Sequence, residues 1–184
     1  MHRSWLKQHH EDPNSIVIDE WGLEGGEARV DIAVINGCFQ GYEIKGDGDS
    51  LRRLPAQIDA YSSVMDHTSL VTTQRHYTKA KAILPSFWGI IVVEPSAAGS
   101  ALLFEDRPAA RNRSVSPLAI AAQLWRPELV SILDSIGADA KLLRRPKWIL
   151  CEALVLSCRL EILQLLVSEK IRQRKTWRDL QSHS

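Results

Sequence analysis

The sequence predicts an α/β fold in which a mixed central β-sheet is flanked by helices. Residues 29–45 alternate apolar and polar side chains on either side of an Asn36-Gly37 turn signal, which is typical of a β-hairpin. A helical pattern up to Met65 follows, and a helical crossover of this kind returns the next strand parallel to the last. Residues 88–93, WGIIVV, form a continuous apolar run, which indicates a strand covered on both faces of the sheet.

The chain begins with a short helical pattern and a first strand. Residues 3–11 predict a helix that ends before Pro13. Residues 16–18, Ile-Val-Ile, then begin a strand that runs into Asp19, Glu20 and Trp21.

The hairpin has two possible registers, and they give its charged residues different surroundings. A two-residue loop would place Asp31 opposite Tyr42 and leave Glu43 on the other face of the sheet. An odd loop or a bulge would place Ile32 opposite Tyr42 and Asp31 opposite Glu43. The odd register gathers these apolar residues on one face: Val30, Ile32, Val34, Tyr42 and Ile44. Because the apolar faces match only in this register, we predict that Asp31, Glu43 and Lys45 share the opposite face.

The helix after the hairpin is predicted to run from near Arg53 or Leu54 to Met65. Pro55 is tolerated only in the first turn of a helix, so an irregular turn should precede the regular part. A buried stripe is predicted at helical spacing: Leu51, Leu54, Ile58, Tyr61 and Met65. The rest of the sheet should comprise strands at residues 68–73, 88–93 and 102–104, the last at an edge, with a helix at 76–83.

The composition after residue 107 indicates a change of organisation. We predict a core at residues 1–107, a linker at 108–116 and a helical region at 117–184. The predicted helical stretches are 117–133, 147–156 and 160–174.

The apolar runs and the cysteines of the sequence indicate its cellular compartment. The sequence contains no run of 18 apolar residues, so it predicts no membrane span. The first residues also lack the apolar core of a signal peptide. Three widely spaced cysteines, Cys38, Cys151 and Cys158, fit reduced thiols better than a disulfide framework. We therefore expect a cytoplasmic protein.

Charge is distributed unevenly along the chain. Residues 1–50 carry 4 Lys/Arg against 10 Asp/Glu, whereas residues 141–184 carry 10 against 4. An acidic front and a basic tail suit a nucleic-acid enzyme, although a basic tail is equally typical of a solvated helix face.

Two carboxylates and a lysine on one sheet face suggest a metal site. Like charges at close range repel and shift each other's pKa, and a hard divalent cation relieves that repulsion by taking oxygen ligands from both acids. The alternative is a solvated hairpin face on which Glu43 pairs with Lys45.

The pattern Asp31…Glu43-Ile44-Lys45 resembles the PD-(D/E)XK, restriction-endonuclease-like nuclease superfamily, including its small stand-alone bacterial members. Val30 stands where the superfamily motif has proline. Gln57 and Tyr61 resemble the Q-x-x-x-Y element that follows the lysine in exonuclease-type branches. The resemblance covers about residues 1–95.

This resemblance implies a restriction-endonuclease-like fold and a Mg²⁺- or Mn²⁺-dependent nuclease that hydrolyses DNA. It implies that Asp31, Glu43 and the carbonyl of Ile44 bind the metal, with Glu20 as an extra acid. Lys45 would position or help to deprotonate the attacking water, and Gln57 would orient nearby groups. Helix–sheet packing is the alternative role of Gln57.

Further residues are candidate nucleic-acid contacts. Arg52 and Arg53 follow the hairpin and could bind phosphates. The other candidates are Tyr61, Lys170, Arg172, Arg174 and Lys175. Packing is the simpler role for Tyr61, and a solvated helical cap is the alternative for the basic tail. A non-catalytic binding or scaffold module, and a structure-specific or RNA-directed phosphodiesterase, are the rival functions.

Overall fold

A six-stranded mixed sheet organises the protein. The structure, a computed structural model, describes residues 1–2, 4–23, 28–96 and 101–174. The strands are β1 (Ile16–Gly22), β2 (Arg29–Ile35), β3 (Phe39–Lys45), β4 (His67–Thr73), β5 (Gly89–Pro95) and β6 (Ala101–Arg107). They lie in sequence order across the sheet; β3, β4 and β5 are parallel and the other neighbours are antiparallel. The predicted α/β class with a mixed sheet is confirmed, and β6 is an edge strand as predicted.

Helices flank this sheet and follow it in the chain. They are α1 (Lys7–Glu11), α2 (Leu54–Val64), α3 (Gln74–Ile83), α4 (Pro117–Ala122), α5 (Arg126–Ser135), α6 (Ala140–Leu143), α7 (Lys147–Ser157) and α8 (Leu160–Gln173). A 3₁₀ turn at Leu51–Arg53 precedes α2. In the part of the chain that the structure describes, none of these helices has the length and apolar character needed to cross a membrane.

The β2–β3 hairpin adopts the predicted odd register. Ile32 pairs with Tyr42 and Ile35 pairs with Phe39, so a three-residue loop at 36–38 joins the strands. Gly37 has a φ of 97°, which an L side chain rarely adopts, and this explains the glycine in the loop. The two-residue alternative is therefore wrong.

The predicted apolar face of the hairpin is correct at its loop end and wrong at its open end. Ile32 and Tyr42 pack in a small cluster on one side of the sheet, whereas Val30 belongs to the large core on the other. Ile44 is partly exposed. Glu20 has a φ of 53°, and Trp21 beyond it packs in the large core. Asp19 pairs with Ile32 and Trp21 pairs with Val30, so the left-handed Glu20 lies at the point where both strands depart from the predicted faces.

Helix α2 begins as predicted, at Leu54 after the 3₁₀ turn, with Pro55 in its first turn. Leu54, Ile58 and Tyr61 are buried against the sheet. The Tyr61 ring stacks on Trp88 with the ring centroids 5.7 Å apart, which adds to the packing that fixes α2 on the sheet.

The predicted helix at 117–133 is two helices, α4 and α5. The break falls at residues 123–125. The backbone of Trp125 is extended, and its N–H donates to the Glu128 carboxylate at 2.6 Å. This side-chain bond satisfies an N–H at the start of α5, and Pro127 occupies its first turn, so a new helix starts here.

The segment at residues 108–116 is packed against the sheet and α2. Asn112 is buried and donates from its side-chain amide to the carbonyls of Ser62 and Met65. The hydrophobic core continues from the sheet into the helical region, from Ile16 to Ile171. Asp66 adds a polar link, because its buried carboxylate accepts from Phe39 N at 2.8 Å and from Gln164 Nε2 at 2.6 Å.

A buried ion pair closes the end of α8. Arg174 Nη2 lies 2.7 Å from Glu128 Oε2, and its guanidinium lies over the Trp125 ring, 4.2 Å from the centroid. Burial alone would raise the pKa of Glu128, but the hydrogen bonds from Arg174 and the Trp125 N–H outweigh it and lower that pKa.

This lowered pKa predicts a pH dependence of stability. Unfolded Glu128 takes up its proton near pH ~4.3, whereas the folded group holds its charge to lower pH. The pair therefore stabilises fully above that range and less as pH falls through it. Glu128→Gln should be less stable than wild type at neutral pH, and chemical denaturation should show the difference narrowing as pH falls below the range in which unfolded Glu128 takes up its proton. Glu152→Gln, which changes an exposed residue of the helix at Lys147–Ser157, is the control. A difference that stays constant with pH would contradict the assignment.

Candidate active site at the open end of the hairpin

Glu43 lies at the centre of a polar cluster between β3 and α2. Glu43 and Lys45 are two residues apart on β3 and therefore share one face of the strand. The Glu43 carboxylate is fully buried. Its Oε1 accepts from Lys45 Nζ and, at 2.6 Å, from Gln57 Nε2, and its Oε2 accepts from the Tyr61 hydroxyl. Burying this charge requires such partners, which Lys45 and α2 supply.

Asp31 lies beside this cluster on β2. The pairing of β2 with β3 ends at Ile32 and Tyr42, and one residue further Asp31 Oδ2 accepts the Ile44 N–H at 2.7 Å. Burial raises the pKa of Asp31, the bond from Ile44 opposes it, and the charge of Glu43 raises it further. The charge of Glu43 therefore acts on the Asp31 carboxyl.

Tyr61 holds the acid in place. It is fully buried, and its hydroxyl lies 2.7 Å from the Arg29 carbonyl as well as against Glu43. Burial and the neighbouring Glu43 charge raise its pKa, so the hydroxyl stays protonated and can donate to Glu43. The prediction that Tyr61 contacts nucleic acid is wrong, because nothing outside the protein can reach this side chain.

The two polar atoms of the Gln57 side-chain amide differ in their hydrogen bonding. Its Nε2 donates to Glu43, whereas its Oε1 is buried with no hydrogen-bond partner among the residues that the structure describes. A buried amide oxygen without a donor costs free energy. The position therefore suits a water or another bound donor close to Glu43.

The loop after Lys45 is held by residues that the sequence did not single out for this role. Thr72 Oγ1 donates to the Lys45 carbonyl at 3.0 Å, and His76 Nε2 lies 3.1 Å from the Gly46 carbonyl. Thr72 pairs with Lys45 across the sheet, so the parallel return of β4 was the signal that could have found it.

Glu20 stands apart from the two acids. Its side chain is exposed and its Oε2 lies 3.2 Å from Arg29 Nη1. Its charge contributes to the raised pKa of Asp31, so it is near the site, but its carboxylate is directed to Arg29.

The donor set fits a hard cation only in part. Within the described ranges, no group of three or more His, Cys, Asp or Glu side chains is arranged to hold a metal ion. The oxygens available are the carboxylates of Asp31 and Glu43 and the carbonyl of Ile44. All three are oxygen donors of the kind that Mg²⁺ and Mn²⁺ prefer, and the unsatisfied Gln57 Oε1 lies beside them.

The residues predicted to contact phosphates differ in their exposure and in their partners within the protein. Arg52 and Arg53 are exposed on the 3₁₀ turn that follows the site. Lys170 is partly exposed and lies 3.5 Å from Ser131, and Arg172 donates to the Asn14 carbonyl at 2.8 Å.

The candidate contact Arg174 has a different role. Its guanidinium is committed to Glu128, so it closes α8 instead of reaching a phosphate. Lys175 lies outside the described residues.

Comparison with known proteins places the chain in a family. It is 27% identical over 134 residues to "Protein cII" of Enterobacteria phage P4, a stretch that covers 72% of this chain and 50% of that protein. The chain thus spans about half the length of this curated relative. No solved structure matches it. A family model described as "Bacteriophage P4 protein cII" matches residues 3–182, and the chain belongs to that family.

Proposed function

We propose that the protein is a metal-dependent nuclease that hydrolyses DNA phosphodiester bonds, built on a restriction-endonuclease-like version of its α/β fold. The observation that carries the proposal is the cluster at the open end of the hairpin. There Glu43 contacts Lys45 and Gln57 directly and interacts electrostatically with Asp31. Asp31, Glu43 and Lys45 are the residues that resemble the PD-(D/E)XK motif, and Gln57 belongs to the resemblance to the Q-x-x-x-Y element that follows it.

Each side chain has a role that follows from its contacts. Asp31, Glu43 and the Ile44 carbonyl would hold Mg²⁺ or Mn²⁺, which when bound supplies a Lewis acid for the phosphoryl oxygens and acidifies a water. Tyr61 keeps the Glu43 carboxylate oriented. The Lys45 ammonium, held at Glu43, is placed to hold that water and stabilise developing negative charge. Gln57 Oε1 can accept a hydrogen bond from the same water and so help to orient it.

The exposed arginines indicate how a substrate could be placed. Arg52 and Arg53 follow the loop that the Lys45 strand leads into, and both are exposed. Guanidinium groups bind phosphate oxygens in a bidentate manner, so these two residues suit the DNA backbone on either side of the cleaved bond.

One observation favours a second candidate, a non-catalytic binding or scaffold module. Both oxygens of Glu43 already accept hydrogen bonds from side chains of the protein, and Lys45 neutralises its charge. A motif satisfied in this way is stable without an ion and could persist for structural reasons alone.

Nuclease activity should depend on a divalent metal and on Asp31. We expect purified protein to cleave linear, circular or single-stranded DNA with Mg²⁺ or Mn²⁺ and to lose this activity in EDTA. Asp31→Asn removes an anionic ligand and should lose most metal affinity and turnover. Metal affinity is measured by titration calorimetry and turnover by gel assay, and Asp59→Asn, which changes an exposed residue of α2, is the control.

The two candidates give different results in this experiment. A binding module should bind DNA without cutting it under any metal condition. Cleavage that persists in EDTA, or full activity in Asp31→Asn, would contradict the proposed nuclease.

A further inference from the structure

In the basic carboxy-terminal part of the chain, some cationic side chains bind other groups of the protein and others are exposed. Lys147 Nζ donates to the Ala122 carbonyl at 2.6 Å, and Arg174 pairs with Glu128. In contrast Lys141, Arg144 and Arg145 are exposed, and within the described ranges none of them forms an ion pair. These three cations lie within five consecutive residues, so their charge is concentrated at one turn.

This turn between α6 and α7 has a fixed backbone. Arg126 Nη2 donates to the Leu143 carbonyl at 3.0 Å and lies 3.4 Å from the Arg145 carbonyl. Pro146 immediately precedes α7 and fixes its own φ. Because the backbone of this turn is already held on both sides, little free energy is needed to order it when a partner binds.

A large aromatic side chain extends from the same turn into solvent. Trp148 is in the first turn of α7 and is 62% exposed. Exposing an indole forgoes the free energy that its burial would supply, and here it stands three residues from Arg145. An exposed aromatic ring beside unpaired cations is the combination that single-stranded nucleic acids bind, with bases stacked on the ring and phosphates on the cations.

The acidic residues near the turn do not cancel this charge. The side chain of Asp139 caps α6 by accepting the Lys141 N–H at 2.8 Å. Glu152 is one helical turn beyond Trp148 on α7 and is exposed. The local balance of side chains from Asp139 to Trp148 is positive.

We propose that the α6–α7 turn, residues 141–148, is a binding surface for single-stranded nucleic acid. Lys141, Arg144 and Arg145 contact the phosphates, and an unpaired base stacks on Trp148. The surface lies in the helical region, where α7 packs on α4 and α5, so it is separate from the β2–β3 site. This inference rests on the proposed function in taking nucleic acid as the partner, and it names where an unpaired strand is held.

Binding without cleavage tests the surface independently of the nuclease proposal. Fluorescence anisotropy of a labelled oligothymidylate, measured in EDTA over a range of salt concentrations, reports affinity with the metal removed. Trp148→Ala should weaken binding about tenfold or more, because stacking of one base is lost. Arg144→Gln with Arg145→Gln should also weaken it and flatten the dependence of log affinity on log salt by about 1.4, since each phosphate contact on a single strand accounts for about 0.7.

Matched controls and a duplex probe make the result decisive. Leu156→Ala removes another exposed apolar side chain of α7, and Arg159→Gln removes an exposed cation just after α7; both should bind like wild type. A duplex of the same length should be far less sensitive to Trp148→Ala. Unchanged affinity in Trp148→Ala, or an unchanged salt slope in the double arginine variant, overturns the proposal. If the wild-type protein does not cleave DNA but the variants bind as expected here, the nuclease proposal is wrong and the binding surface is supported.

Discussion

Lys45→Ala is expected to abolish DNA cleavage and to destabilise the protein by about 3–5 kcal/mol in EDTA, because it leaves the buried carboxylate of Glu43 without its cation. Gel assays measure the first effect and chemical denaturation the second. The two effects have separate origins. Activity is lost because Lys45 would no longer hold the attacking water, and stability is lost because a charge is buried unpaired.

A bound metal ion should change the size of the second effect. If Glu43 is a ligand, added Mn²⁺ replaces the missing positive charge, so it should stabilise Lys45→Ala more than it stabilises wild type. The control is the double variant Glu43→Gln with Lys45→Met, which removes both charges at similar volume. It should recover most of the stability and none of the activity. Wild-type cleavage by Lys45→Ala would rule out the role proposed for this lysine.

The register of the hairpin could be predicted because it depends on short-range patterning. Only the odd register brings apolar side chains such as Ile32 and Tyr42 together, and a one-residue slip would expose them. The start of α2 was predictable for a similar local reason, since Pro55 limits where a regular helix can begin.

The features that could not be predicted depend on conformation or on distant parts of the chain. The placement of Val30 coincides with a left-handed residue, Glu20, on the neighbouring strand, and no alternation pattern encodes such a conformation. The sequence predicted that Arg174 contacts a phosphate, because its partner Glu128 is 46 residues away and could not be recognised from the sequence. Sequence spacing contains no information about such a pair, whereas Asp31, Glu43 and Lys45 belong to one hairpin, in which Lys45 contacts Glu43 and Asp31 accepts the Ile44 N–H.

Asp66→Ala is expected to destabilise the protein by about 3–6 kcal/mol, since hydrogen bonds to a charged group contribute about 1.5–3 kcal/mol each and two are lost. The Phe39 N–H and the Gln164 amide would be left buried without this acceptor. These groups belong to β3 and α8, so the variant should loosen the contact between the hairpin and the last helix. Hydrogen exchange should show reduced protection in both elements.

The control for this variant is Asp59→Ala, which removes an exposed carboxylate of α2 and should change stability little. Gln164→Ala tests the link separately. It removes one of the two bonds, so it should cost less than Asp66→Ala, and its effect should be largely absent when Asp66 is already replaced. Fully additive effects of the two substitutions, or protection in α8 that is unaffected by Asp66→Ala, would show that this carboxylate does not couple the sheet to the helical region.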